Sequence, residues 1–179
     1  FYTKDAPVEE PDDLLGKKIR VMPSNTAINM VQELGGSPTP ISYGELYTAL
    51  QQGVVDAAEN NPPSFFFSRH YEVCKFYSLN EHTSIPDILL ISTLVWNSLS
   101  EDEQKWLQEA AEESAEYQRE LWAKSEQESL EAVKAAGVTV TYPDKSKFAE
   151  QVEPMYESYK DEPEVYDLIQ RIQSVEAME

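Results

Sequence analysis

Residues 100–136 read as one unbroken helix, and every other element must accommodate it. Ser100 and Glu103 stand at capping-box spacing, nothing from there to Ala136 interrupts a helix, and Gly137 is the natural stop. At 1.5 Å of rise per residue such a helix is about 54 Å long, against about 30 Å for the diameter of a small domain. It carries no heptad seam that would pair it in a coiled coil. A helix of this length should span more than one lobe.

Upstream, the chain alternates short strands and helices. In KKIRVMP, Ile19 and Val21 point one way and Lys18 and Arg20 the other, which predicts a half-buried strand. Ser24 or Asn25 can cap the next helix. Ala27, Ile28, Val31 and Leu34 form its apolar face, and Gly35-Gly36 end it. SPTPIS is a short extended piece. Ser42 and Glu45 repeat the capping-box spacing before a helix carrying Leu46, Ala49 and Leu50, which stops at Gly53. VVDAAE reads as another strand, and PPSFFFSRHYEVCKF opens a further helix on its prolines. DILLIST, a nearly continuous apolar run, predicts a central strand. After the long helix come a strand in VTVTYP, a helix around Phe148 to Tyr159 and a last helix in PEVYDLIQRIQSVEAM. The first residues, FYTKDAPVEEPDD, read as a polar lead-in. The rhythm implies an α/β sheet, whose ligands sit at the carboxyl ends of strands. Arg20 lies near one such end, and the Asn60-Asn61-Pro62-Pro63 corner at another.

Composition narrows the function. With 41% hydrophobic residues the chain can build a core. The net charge of -19 leaves no basic footprint for phosphate, so nucleic acid is a poor partner. Most of the excess charge lies in residues 100–179, with 8 Lys+Arg against 21 Asp+Glu, as expected of solvated acidic helices. No apolar run is long enough for a membrane span, and no secretory signal is present; a leader, if the protein is exported, is absent from this chain. Paired-Cys metal spacing, HExxH, phosphate loops and G-x-S-x-G are all missing, so no metal, cofactor or catalytic set is implied. His70 and Cys74 stand four apart, which on a helix would set a thiol beside an imidazole; a buried core thiol is the plainer reading.

Four residues merit weighing as ligand contacts. The Arg20 guanidinium can grip a carboxylate through two parallel hydrogen bonds, unless it is solvated or held in a structural ion pair. Asn60 offers one acceptor and two donors, or serves as a turn residue. Tyr43 can be an aromatic platform or a staple at a helix start. His82 can donate to a ligand or water, or simply pack.

Taken together, the K-I-R-V strand, the G-G-S-P-T-P turn, G-E-L-Y-T-A-L-Q, the V-D-A-A-E-N corner, H-Y-E-V-C-K-F and L-S-E-D-E-Q-K-W-L-Q-E-A-A resemble the substrate-binding proteins of TRAP transporters, the DctP-like family. The likeness covers Phe1 to about Tyr159. It implies a two-lobed, periplasmic-binding-protein-like α/β clamp outside the cytoplasm that captures a small organic acid for a membrane permease, and not an enzyme. By that resemblance Arg20 forms the salt bridge to the ligand carboxylate, Asn60 helps hold it, Tyr43 packs on the ligand, and His82 matches the family's ligand-site histidine. The corner reads E-N-N-P-P where the family more often has E-N-P, which brings Asn61 in beside Asn60.

The same resemblance implies that this chain is mainly the second lobe. Residues 1–17 would be a lead-in and hinge, 18–90 the ligand-binding lobe, 91–136 a hinge strand and the spanning helix, and 137–179 the C-terminal strand and helices. A first lobe is then expected upstream, and the surface it would cover favours self-association. RVMPS, ENNPPSF, SRHYEVCKFYSL and EHTSIPDILLIST resemble the sugar-acid branch, which implies a hexuronate, with a C4-dicarboxylate as the alternative.

Overall fold

The computed structural model describes residues 1–176. Six strands form one sheet: β1 (Tyr2–Thr3), β2 (Lys18–Val21), β3 (Ser37–Pro40), β4 (Ala57–Ala58), β5 (Phe76–Ser78) and β6 (Thr139–Thr141), in the order β3-β2-β4-β1-β5-β6. β2 runs parallel to β3 and β4, β5 runs parallel to β6, and β1 is antiparallel to both of its neighbours. All strands but β1 therefore end at one edge, where β1 begins. Register sets Arg20 beside Ala58, and Tyr2 beside both Ala58 and Tyr77.

The helices are α1 (Asn25–Glu33), α2 (Leu46–Gln52), α3 (Pro62–Phe67), α4 (Thr93–Trp96), α5 (Glu101–Ala135), α6 (Lys145–Gln151), α7 (Glu153–Glu157) and α8 (Pro163–Glu176). Strand alternation divides the core. Ile19 and Val21 face a cluster with Phe1, Met30 and Val31 of α1, and Phe148 of α6. Tyr2, Ala58 and Tyr77 face another with Leu46 and Leu50 of α2, Phe65 of α3 and Val133 of α5. Gly35 takes φ +85 at the end of α1, and a Cβ on Gly36 would lie 2.4 Å from Ile19 Cδ1, so this pair lets α1 close onto β2.

The long helix forms, with the Ser100–Glu103 capping box in place and Gly137 at φ +86 beyond its end. Its last turns pack on the lobe through Ser129 and Val133, beside α3, while Trp106, Leu107, Tyr117 and Leu121 are exposed. No helix among the described residues is long and apolar enough to cross a membrane.

Several expectations are corrected. Phe1 and Tyr2 are buried and Tyr2–Thr3 is an inner strand of the sheet, not a polar lead-in. DILLIST is not a strand: residues 79–92 form no ladder, and Leu90 of that run and Leu94 in α4 are 81% and 83% exposed. An apolar run becomes a strand only where another strand completes its hydrogen bonds, and none lies beside it among the described residues. The helix begun at Pro62 ends at Phe67, because Arg69 turns left-handed at φ 58; a 3-10 turn over His70–Glu72 follows. Ser42 Oγ binds the Glu45 carboxylate instead of closing a backbone box, and α2 starts only at Leu46 after a 3-10 turn. The helix expected around Phe148 to Tyr159 is split into α6 and α7 near Pro154, which has no N–H to carry the ladder on. The final helix is present to Glu176; its expected last residues, Ala177 and Met178, lie outside the described residues.

Candidate functional site

Arg20 extends from β2 toward the α2 and α3 side and is 3% exposed. Its Nε donates to the Ile41 carbonyl at 2.9 Å. Among the described residues its terminal nitrogens make no hydrogen bond and no carboxylate forms an ion pair with it. A buried guanidinium is costly unless something answers its charge. Among the described residues Arg20 is thus in no ion pair, and its fork is uncommitted.

Tyr43 follows β3, with its ring centre 5.6 Å from the Arg20 guanidinium carbon. It is 42% exposed, yet it is not loose. Its hydroxyl bonds Ser68 Oγ at 2.6 Å, and its ring meets the His70 ring edge-on at 5.7 Å between centres. His70 is buried, and its Nδ1 lies 2.9 Å from the Tyr2 hydroxyl. Burial, with Arg20 adding to it, pushes the His70 pKa down to about 4. At neutral pH Arg20 thus has no second cation beside it at His70.

The corner after β4 sits on the strand next to Arg20. Asn61 caps α3, its Oδ1 accepting from Ser64 N at 2.9 Å ahead of Pro62 and Pro63. Asn60 Oδ1 accepts from Asn61 N at 2.9 Å, and its carbonyl accepts from the Tyr77 hydroxyl at 2.7 Å. The Asn60 amide donors make no bond among the described residues. The two asparagines are therefore not equivalent: one closes a helix, and the other keeps its donors.

His82 lies on the other side of this corner. It stacks on Phe1 at 4.2 Å, and its Nδ1 meets Asn80 Oδ1 at 2.7 Å. Since an amide oxygen only accepts, Nδ1 carries a proton. Nε2 is buried, unbonded and 3.7 Å from the Glu59 carboxylate; the Asn80 amide nitrogen is likewise buried and unbonded. Burial lowers the His82 pKa. Burial works to raise the Glu59 carboxyl, but His82 beside it, then the Phe1 ammonium and Arg20, outweigh that and hold it below the usual carboxylate range. A cleft of about 760 Å³ has His82, Met22, Met30 and Phe148 in its wall but none of Arg20, Tyr43, Asn60 or Asn61. Arg20 and Tyr43 are thus brought together, the Asn60 corner stands on the next strand, and His82 approaches from the far side through Glu59.

The sequence offered His70 only as a neighbour of Cys74; its place against Tyr2 and Tyr43 was not legible, because no glycine or proline announces the break at Arg69. Glu59 was visible only as part of the corner motif. The thiol–imidazole pairing dissolves: Cys74 is buried, its thiol is pushed up to about 12, and the neutral His70 is committed to Tyr2. No group of acids, histidines and cysteine that could hold a metal occurs among the described residues.

The family described as bacterial extracellular solute-binding protein, family 7 (DctP), matches residues 1–162. The chain belongs to this family. A curated solute-binding protein of Chromohalobacter salexigens is 42% identical over 179 residues, covering 99% of this chain and 53% of its own length. A TRAP periplasmic solute binding protein from Chromohalobacter salexigens, solved with bound D-glucuronate, superposes with a TM-score of 0.92 at 42% identity, over 97% of this chain and 58% of that one. Another from Sulfitobacter sp., with bound β-D-galacturonate, gives 0.88 at 38% identity, over 94% and 56%. These relatives are described as binding proteins and not as enzymes. The chain spans about half the length of this curated relative, and its fold is that of part of a two-lobed periplasmic binding protein.

Proposed function

We propose that this chain forms the Arg20-bearing part of an extracytoplasmic TRAP receptor for a hexuronate, which the whole protein delivers to its membrane permease. The observation that carries this is the buried Arg20 guanidinium, free of any carboxylate among the described residues, at the carboxyl edge of the sheet. A carboxylate across the fork would meet two parallel charge-assisted hydrogen bonds, which fix orientation as well as position. Asn60 adds neutral donors from the next strand. Tyr43 offers a fixed ring against which the hydrophobic face of a sugar ring packs. His82 and Glu59 bound the far side. Glucuronate and galacturonate in the related structures support the sugar-acid class. Residues 18–90 supply most of this lobe, and α5 carries the chain toward the other jaw, which closes over an edge that is open here.

The test is calorimetric titration of the longest natural form of the polypeptide containing this chain with D-glucuronate, D-galacturonate and succinate. Saturable binding of the uronates, with succinate silent, is expected. Binding of succinate alone moves the protein to the C4-dicarboxylate class. Silence with all three acids overturns the receptor reading.

A further inference from the structure

Behind the Arg20 edge lies a polar contact that the carboxylate grip alone does not explain. The Tyr2 hydroxyl is fully buried, and its one partner among the described residues is His70 Nδ1, at 2.9 Å. A buried hydroxyl with a single partner satisfies its proton only by donating it, so Nδ1 accepts and the imidazole proton sits on Nε2. The imidazole is neutral at pH 7, since burial and then Arg20 hold its pKa near 4. The ring is therefore locked in one tautomer and one orientation. Its neighbour across an edge-to-face contact is Tyr43, at 5.7 Å and 69°. Tyr43 in turn stands 5.6 Å from the Arg20 guanidinium carbon. The backbone is strained to bring this about: Arg69, which is not glycine, sits at φ 58 just before His70 and turns it inward out of α3. Strain of this kind gathers where a side chain must be aimed.

We propose that His70 is a positioning residue for carboxylate binding: locked by Tyr2 as the Nε2–H tautomer, it packs across Tyr43 and fixes that ring beside Arg20. The role presupposes the receptor function proposed above. His70 acts through Tyr43, so its effect on affinity vanishes once the ring is gone. A histidine that only fills the core changes stability and leaves affinity alone.

The test is a double-mutant cycle on the longest natural form of the polypeptide, with D-glucuronate as the probe and thermal midpoints measured in parallel. His70→Phe keeps a ring but loses the lock, and it is expected to weaken binding about fivefold to tenfold. Tyr43→Ala weakens it as well, and the double variant should bind no worse than Tyr43→Ala alone. Tyr2→Phe removes only the hydroxyl and serves should His70→Phe not fold; it is expected to weaken binding in the same direction. Unchanged affinity in His70→Phe, or in Tyr2→Phe where that variant stands in, overturns the role while leaving the receptor reading intact. So do independent, multiplying effects in the cycle. An unsubstituted protein that binds no acid removes both.

Discussion

Glu59 and His82 face each other at 3.7 Å between Oε2 and Nε2, with side chains only 13% and 10% exposed. That is too long for a direct hydrogen bond. Together with His70 the pair contributes to the acid response. All three groups have lowered pKa values in the fold: His70 to about 4 from 6.5, His82 and Glu59 in direction. As pH falls the unfolded chain takes up their protons first, so stability present at pH 7 is lost on acidification. The His70 share goes between about pH 6.5 and 4 and amounts to at most about 3 kcal/mol. Urea midpoints measured from neutral pH down to about 4.5 should fall steadily, and less steeply in His70→Phe. A flat profile would contradict the burial of these groups.

Asn60 and Asn61 should part company on substitution. Asn61→Ala removes the α3 cap and is expected to cost about 1 kcal/mol of stability. Asn60→Ala removes the free amide and should instead cost affinity for D-glucuronate, roughly threefold to tenfold. Urea titration and calorimetry on both variants decide it. The reverse assignment would mean that Asn61 faces the ligand.

How much could be read beforehand depended on whether the signal was local. The long helix was legible because its cap, its length and its stop are all written within it, from Ser100 to Gly137. Strand β2 was legible by alternation, but that alternation set Arg20 with Lys18 on the open face of a half-buried strand, whereas only Lys18 is exposed and Arg20 is buried. Strand β1 was not: two residues carry no period, and Lys4 and Asp5 beside it look like solvent. Residues 87–93 showed the opposite failure, since a continuous apolar run says that something covers it without saying what. The aim of His70 depends on a left-handed Arg69, which the sequence does not mark. The division of labour between Asn60 and Asn61 rests on hydrogen bonds that neighbouring identical residues cannot reveal.

Replacing Arg20 separates charge from shape. Arg20→Lys keeps a cation but loses the planar fork and the Nε bond to Ile41, so affinity for D-glucuronate should drop about tenfold or more. Arg20→Ala removes the charge-assisted contact altogether and should cost about 2 kcal/mol or more. Equal affinities for the two variants would mean that the charge contributes nothing. Unchanged affinity in both would return Arg20 to a purely structural role.

Self-association of the 179-residue chain should follow from its exposed apolar surface, in competition with its charge. Ile88 to Leu90, Leu94, and Leu168 with Ile172 on one side of α8 are exposed, and clustered exposed apolar side chains favour contact between copies. The net charge of -19 opposes that contact. Salt screens the repulsion and leaves the apolar attraction, so association should rise on going from about 0.05 to about 0.5 M NaCl. Leu90→Glu with Leu94→Glu should reduce it at both salt concentrations without lowering the unfolding midpoint, because neither side chain is in the core. Sedimentation velocity over a concentration series reads both effects. A monomer under every condition would show that repulsion dominates and that the apolar faces stay apart even when screened.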